Sequence, residues 1–362
     1  MKKYICIFAA FAAVLSCQKE APQSPSNEIF SAPATLEIIN PMTKLGIGTD
    51  RYVWTEGDQI LLRQHNSNNT DKGNITNNHN VLSYSNDDNS SNFSGNLETP
   101  YMTSSWYAFY PASSVSQSTT TSSSVNKITL PSKQSGTFED YGSYKGLGKS
   151  ILMLSIRTTS SGSIKRTVLV DTELSEVSTD NDRMYSKVVF QPTEMKILTP
   201  VIKLTVPEEL NIKTITCKAF KNNGETSEQL LIAGASQIAL STAAYKNNPG
   251  YLIADGKTDV CDMVEIYRDY NVISGDVYIC IYPDDPATGI SSANELYFKF
   301  EQGASSKAKY VEITKPIENQ LTAGKVLDLG TVPTNLEFID PNASSQASVN
   351  FSGTVPSTTP AE

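Results

Sequence analysis

The chain has 362 residues, 39% of them apolar and 19% charged, and its 38 acidic against 29 basic side chains leave a net charge of -9. That length allows two domains of ordinary size, each able to bury its own core. The acidic balance supplies no electrostatic attraction to nucleic acid or to an anionic membrane surface, which argues against nucleic acid as a partner.

The chain opens MKKYICIFAAFAAVLSCQKE, with Lys2 and Lys3 ahead of an apolar run from Ile5 to Val14. That run is too short to cross a bilayer as a helix and reads as a signal peptide. Val14-Leu15-Ser16 leads into Cys17 and resembles a bacterial lipoprotein box, whose cysteine thiol is lipidated and becomes the first residue. Leucine is commoner where Val14 stands, and ordinary signal cleavage near Ser16 is the alternative. Acyl chains such as palmitate contribute roughly 0.8 kcal/mol per buried methylene, so several on Cys17 hold a precursor on the outer membrane. No later segment has the length and hydropathy of a spanning helix.

Residues 18–33, rich in Pro, Ser and Gln, read as a tether. Beyond it come short runs rich in Val, Ile, Tyr and Thr, separated by polar turns: ATLEII, YVWTEGDQILL, SWYAFYP, NKITLP, KSILMLSI, RTVLVDT, PVIKLTVP, IKTITCKAF, VYICIYP, ELYFKF and KVLDLGTV. No stretch has helical period, so the spacing predicts all-β sandwiches rather than βαβ units. The Asn/Ser-rich run from Asn66 to Asn96 and the Ser/Thr-rich run from Ser113 to Val125 read as long polar loops. The strand pattern restarts near Pro192 to Pro200, which divides the chain into a signal and lipobox (1–17), a tether (18–33), two domains (34–192 and 193–332) and a tail (333–362).

In the first strand Ala34, Leu36, Ile38 and Met42 share a face, broken at Asn40. In the tail Ala347, Val349, Phe351 and Val355 alternate with polar residues, with Gly353 interrupting the apolar face. Two loosely attached strands, one at each end, could compete for one groove; the bland reading of the tail is a disordered end whose alternation is chance. Between the first strand and the next lies NPMTKLGIGTDR, which holds two basic residues, Lys44 and Arg51.

Catalytic and metal chemistry finds little support. GLGKS imitates the end of a phosphate-binding loop, but the glycine the motif needs falls on Ser143 and no helix follows in the pattern. His65 and His79 are the only histidines, no G-x-S-x-G elbow occurs, and the acidic clusters NDDN and STDND lack calcium-loop spacing. The expectation is a non-enzyme without metal or cofactor. Trp54 and Trp106 sit in apolar runs as core residues do, the alternative being a sugar-stacking platform. Cys217, Cys261 and Cys280 could form one disulfide, or be small core residues in strands.

Several of these pieces resemble one family. WTEGDQI (Trp54 to Ile60) after a Thr-Lys pair, YAFYP (Tyr107 to Pro111) and LTAGKVLDLGTV (Leu321 to Val332), behind a lipoprotein box, are similar to motifs of the fimbrillins, the lipoprotein-derived pilus subunits of Gram-negative anaerobes. The resemblance implies two tandem transthyretin-like Greek-key β-sandwiches and export as a lipoprotein. It also implies cleavage after the first strand, here at Lys44 or Arg51, by a trypsin-like protease; Lys44 stands where arginine is common. Removing the strand Ala34 to Met42 then opens a groove that a strand of another subunit fills, with Ala347 to Val355 the candidate donor. Donor and groove at different ends of one molecule make a non-closing contact and hence a filament. The implied partners are other pilin subunits and a host receptor or glycan, at a cell-surface fimbrium. The alternative for Lys44 and Arg51 is two solvated loop charges, and the rival function is a lipid-anchored carbohydrate-binding protein.

Overall fold

Alternation of apolar and polar residues, repeated in run after run, builds strands that bury one face each. The computed structural model describes residues 31–38, 54–65, 80–85, 92–98, 105–116, 125–155, 166–169, 187–193, 195–239, 252–253, 260–284, 289–303, 307–341 and 349–350. In chain order the first elements are β1 (Ser31–Glu37), β2 (Gln59–His65), β3 (Asn80–Tyr84), β4 (Asn92–Glu98), β5 (Ser105–Tyr110), β6 (Val115–Ser116), β7 (Val125–Leu130), β8 (Lys133–Gln134), the single-turn helix α1 (Leu147–Ser150), β9 (Met153–Ser155), β10 (Arg166–Leu169), β11 (Lys187–Phe190) and β12 (Met195–Ile197). There follow β13 (Val201–Val206), β14 (Thr214–Asn222), β15 (Ser227–Gln229), β16 (Ala233–Ala239), β17 (Leu252–Ile253), β18 (Val260–Cys261), β19 (Val264–Tyr267), β20 (Gly275–Cys280), β21 (Glu295–Glu301), β22 (Tyr310–Pro316), β23 (Val326–Thr331) and β24 (Val349–Asn350). Among the described residues the protein is all-β apart from α1 and two 3-10 turns, Ala112–Ser114 and Glu208–Leu210, and none of its described helices is long and apolar enough to cross a membrane.

A nine-stranded sheet runs β10-β11-β1-β4-β3-β2-β5-β9-β12. Its core holds Leu36, Ile60, Leu62, Phe93, Trp106 and Phe109, all fully buried, and reaches Tyr278, Cys280 and Tyr282 of the later half. A second core lies between the three-stranded sheet β20-β13-β23 and the sheet β24-β22-β21-β14-β19-β8. Ile202, Leu204 and Ile279 from the first of these meet Ile215, Phe298 and Phe300 from the second. Two early strands join later sheets: β7 pairs β16, and β8 pairs β19 in parallel.

The run read as a polar loop, Asn66 to Asn96, contains β3 and most of β4, two strands of the main sheet. In β4 the inward positions are Phe93, Gly95 and Leu97, so a glycine hides the alternation. It is there for space: a Cβ on Gly95 would stand 2.6 Å from the Val81 carbonyl oxygen. The first strand also begins earlier than expected, at Ser31.

Cys217, Cys261 and Cys280 are free thiols. Cys217 and Cys280 have no exposed surface, and burial pushes both thiols well above the usual range, so neither ionises readily. Cys261 is half-buried. Of these three, a maleimide is therefore expected to modify Cys261 in the native protein and Cys217 and Cys280 only after denaturation, as read by peptide mass spectrometry. Native labelling of Cys217 would contradict the burial described here.

Candidate functional site

The first strand is an interior strand held on both sides. It runs antiparallel to β4 over its whole length, from Ser31 opposite Glu98 to Glu37 opposite Asn92, and parallel to β11 at Ala34 and Thr35. A bridge from Ile38 to Thr193 extends that parallel side, with the Thr193 amide donating to the Glu37 carbonyl at 2.9 Å. Pro33, which cannot donate to a ladder, lies opposite Asn96 and outside the two residues of β1, Ala34 and Thr35, that pair with β11.

Ala32, Ala34, Leu36 and Ile38 point inward and are at most 2% exposed. Ala34 faces Gly95, and Leu36 faces Phe93, so the small residue of the strand meets a glycine and the large one an aromatic. Burying Leu36 and Ile38 contributes roughly 3–6 kcal/mol. Without β1 the slot would present that apolar floor between two unpaired ladders, one antiparallel and one parallel to any strand entering in the original direction. Of the predicted displaced-strand residues, Ala34, Leu36 and Ile38 take their places in it. Met42, Lys44, Arg51 and the lipidation residue Cys17 lie outside the described residues.

The chain resumes at the motif Trp54 to Ile60, and the buried Asp58 pins it. One carboxylate oxygen accepts from the Thr55 amide (2.8 Å) and hydroxyl (3.2 Å), the other from the Tyr110 hydroxyl (3.0 Å). Gly57, at φ +88°, supplies the left-handed residue that the Thr55-to-Asp58 turn requires. Trp54 stands edge-on to Phe93 (4.9 Å) and Tyr110 (5.0 Å). The WTEGD and YAFYP motifs thus meet in one knot, so a cut between residues 39 and 53 would free β1 while leaving the downstream end tied down. Lys149 of GLGKS lies 4.0 Å from Asp58, which places that lysine in the knot. Both tryptophans are core: Trp106 is fully buried and Trp54 packs against the main cluster.

The tail enters at β24, which adds to the edge strand β22 in parallel, Val349 beside Ile313 and Asn350 beside Thr314. Ala347, Phe351 and Val355 lie outside the described residues. The structure does not bring the two predicted strands together, since β1 lies in the nine-stranded sheet and β24 in another. The third motif, Leu321 to Val332, forms β23 and its lead-in; β23 runs parallel to β13, and the Gly324 amide bonds the Thr199 carbonyl at 3.1 Å. Beside it Lys315, 4% exposed, donates to the Leu329 carbonyl at 3.1 Å, and burial lowers its pKa although Asp328 opposes this.

One feature escaped the sequence reading. The turn Arg268 to Asn271, closed by the Asn271 amide on the Arg268 carbonyl (2.8 Å), has positive φ at both central residues, Asp269 (44°) and Tyr270 (66°). That is the pattern of a type I′ turn, which favours Asn-Gly. A bulky aromatic held there costs on the order of 1 kcal/mol of backbone strain. The available signal was YRDYN, a turn with the wrong residues for its shape.

No family model matches the chain, and no curated protein does. Among solved structures it is similar to a candidate cell adhesion protein of Bacteroides uniformis, at 12% identity and TM-score 0.41, covering 86% of this chain and 99% of that one. A fimbrial protein of Bacteroides ovatus matches at 10% identity and TM-score 0.35, over 89% of this chain but 56% of its own. A fimbrial anchor protein of Porphyromonas gingivalis matches at 10% identity and TM-score 0.29, over 74% and 78%. The solved structures similar to this chain thus include adhesion and fimbrial proteins of Bacteroides and Porphyromonas.

Proposed function

We propose that this chain is a fimbrial subunit or accessory pilin, a non-enzymatic protein built on two tandem transthyretin-like sandwiches and polymerised by strand exchange to support adhesion. In this reading it is exported as a lipoprotein through Cys17, held on the outer membrane, and cut at Lys44 or Arg51. The observation that carries it is the position of β1. A strand buried between two neighbours, followed directly by a segment with two basic residues and then by a pinned turn, has the form of a removable insert.

The donor is the tail, whose Ala347, Val349 and Phe351 would replace Ala32, Ala34 and Leu36 in a neighbour's slot, with Gly353 falling at the place of Ile38 and Val355 beyond it. Protein taken from the native cell surface is expected to begin at Leu45 or Tyr52, as read by amino-terminal sequencing and intact mass. Deleting Ser345 to Glu362 is expected to stop onward growth of pili; normal incorporation and growth without the tail would sink the donor assignment.

A further inference from the structure

We propose that Tyr270, with Tyr267 and Asp269, forms a binding site for a neutral saccharide, at the turn between β19 and β20. Tyr270 is 70% exposed, the most exposed of the large apolar side chains among the described residues. Its ring stands edge-on to Tyr267 at 5.4 Å, and Tyr267 stands edge-on to Tyr144 at 4.8 Å. The Lys133 ammonium lies 5.8 Å from the centre of the Tyr144 ring. These contacts hold an aromatic face outward instead of letting it fold onto the protein.

The ledge beneath it is stiff. Arg268, buried to 6% exposure, donates from Nε to the Ser135 carbonyl at 2.8 Å. That fixes the turn to the loop 135–146, which is closed by reciprocal backbone bonds between Tyr141 and Tyr144. Gly142, at φ +56°, lets this loop approach the turn: a Cβ there would stand 2.7 Å from an Asp269 carboxylate oxygen. Rigid support lowers the entropy cost of binding at an exposed side chain.

The surroundings select the ligand. Asp269 and Asn271 are exposed beside the ring, and Asp140, Lys145, Glu265 and Lys133 lie on the adjoining segments in two opposed pairs. One strongly exposed aromatic face rimmed by polar groups, with Phe138 at 37% the other exposed large apolar side chain on the turn and the loop 135–146, is too small for the core of a protein interface. It suits a sugar ring, whose C–H face packs on an aromatic and whose hydroxyls pair with a carboxylate and an amide. Balanced local charge favours a neutral sugar over an acidic one. The strained turn fits the same reading, since local sequence rules are broken where function outweighs stability. The proposal stands apart from strand exchange and does not require polymerisation.

The test is binding of the purified full chain to an array of neutral hexose and N-acetylhexosamine oligosaccharides, with sialylated and sulfated glycans alongside. The wild type is expected to bind at least one neutral glycan. Tyr270→Ala is expected to weaken that binding at least tenfold, and Tyr270→Phe to keep it within about threefold. Tyr270→Gly should lose binding while unfolding at the wild-type temperature or above, which separates loss of the ring from loss of the fold. No binding to neutral glycans, binding confined to acidic ones, or binding unchanged in Tyr270→Ala would each overturn the proposal.

Discussion

Asp58→Ala is expected to destabilise the protein by about 3 kcal/mol. The carboxylate is 1% exposed and receives the Thr55 amide, the Thr55 hydroxyl and the Tyr110 hydroxyl. Removing it takes away the acceptor of a hydrogen bond from the hydroxyl of fully buried Tyr110, a loss of about 1–3 kcal/mol. It also unties the turn that Gly57 shapes and removes the carboxylate near Lys149. Asp58→Asn keeps an acceptor oxygen and should cost about 1 kcal/mol less. Denaturant unfolding of Asp58→Ala, Tyr110→Phe and the double variant should reveal a coupling of about 1–2 kcal/mol. Additive losses would mean that the two motifs merely touch.

The second large effect concerns β1 itself. A chain beginning at Trp54 is expected to unfold at distinctly lower denaturant than the full chain, because it loses roughly 3–6 kcal/mol of burial from Leu36 and Ile38 alone, together with ladder bonds on two sides. A synthetic peptide of residues 31–38, added during refolding, should restore most of that loss. The same peptide with Leu36→Ala should bind at least about thirtyfold more weakly, matching the lower end of the cost of truncating a buried leucine, about 2 kcal/mol. An excised chain as stable as the parent would show that β1 contributes little. An excised chain that ignores the peptide would show that the slot closes when the strand leaves.

Much of this fold was legible because strands with one buried face announce themselves by period. ATLEII, SWYAFYP, PVIKLTVP and ELYFKF all became strands, and the buried face of β1 is the one its alternation marks. β4 was illegible for a local reason, as its central inward residue is Gly95, required by the nearby Val81 carbonyl and silent in a hydropathy pattern. The pairing of strands was out of reach for a different reason. Sequence does not say that β1 lies between β4 and a strand more than 150 residues later, nor that β7 joins β16, because such partners are chosen by the packing of distant faces. The motifs WTEGD and YAFYP read as separate signals, yet a hydrogen bond from Tyr110 to Asp58 joins them in the fold. Tyr270 was passed over since a lone tyrosine in a polar turn carries no signal until its backbone angle and exposure are known.

Strand exchange is tested most directly by the molar mass of the protein in solution after its first strand is cut away. The full chain, treated with trypsin under conditions that cleave at Lys44 or Arg51 and then separated from the released strand, should be followed by light scattering during size-exclusion chromatography. Cut chains are expected to form a ladder of multimers that grows with concentration. The same treatment of a chain lacking Ser345 to Glu362 should leave monomers. Multimers that form equally well without the tail, or cut chains that stay folded and monomeric with it, would contradict assembly by the filling of the β1 slot.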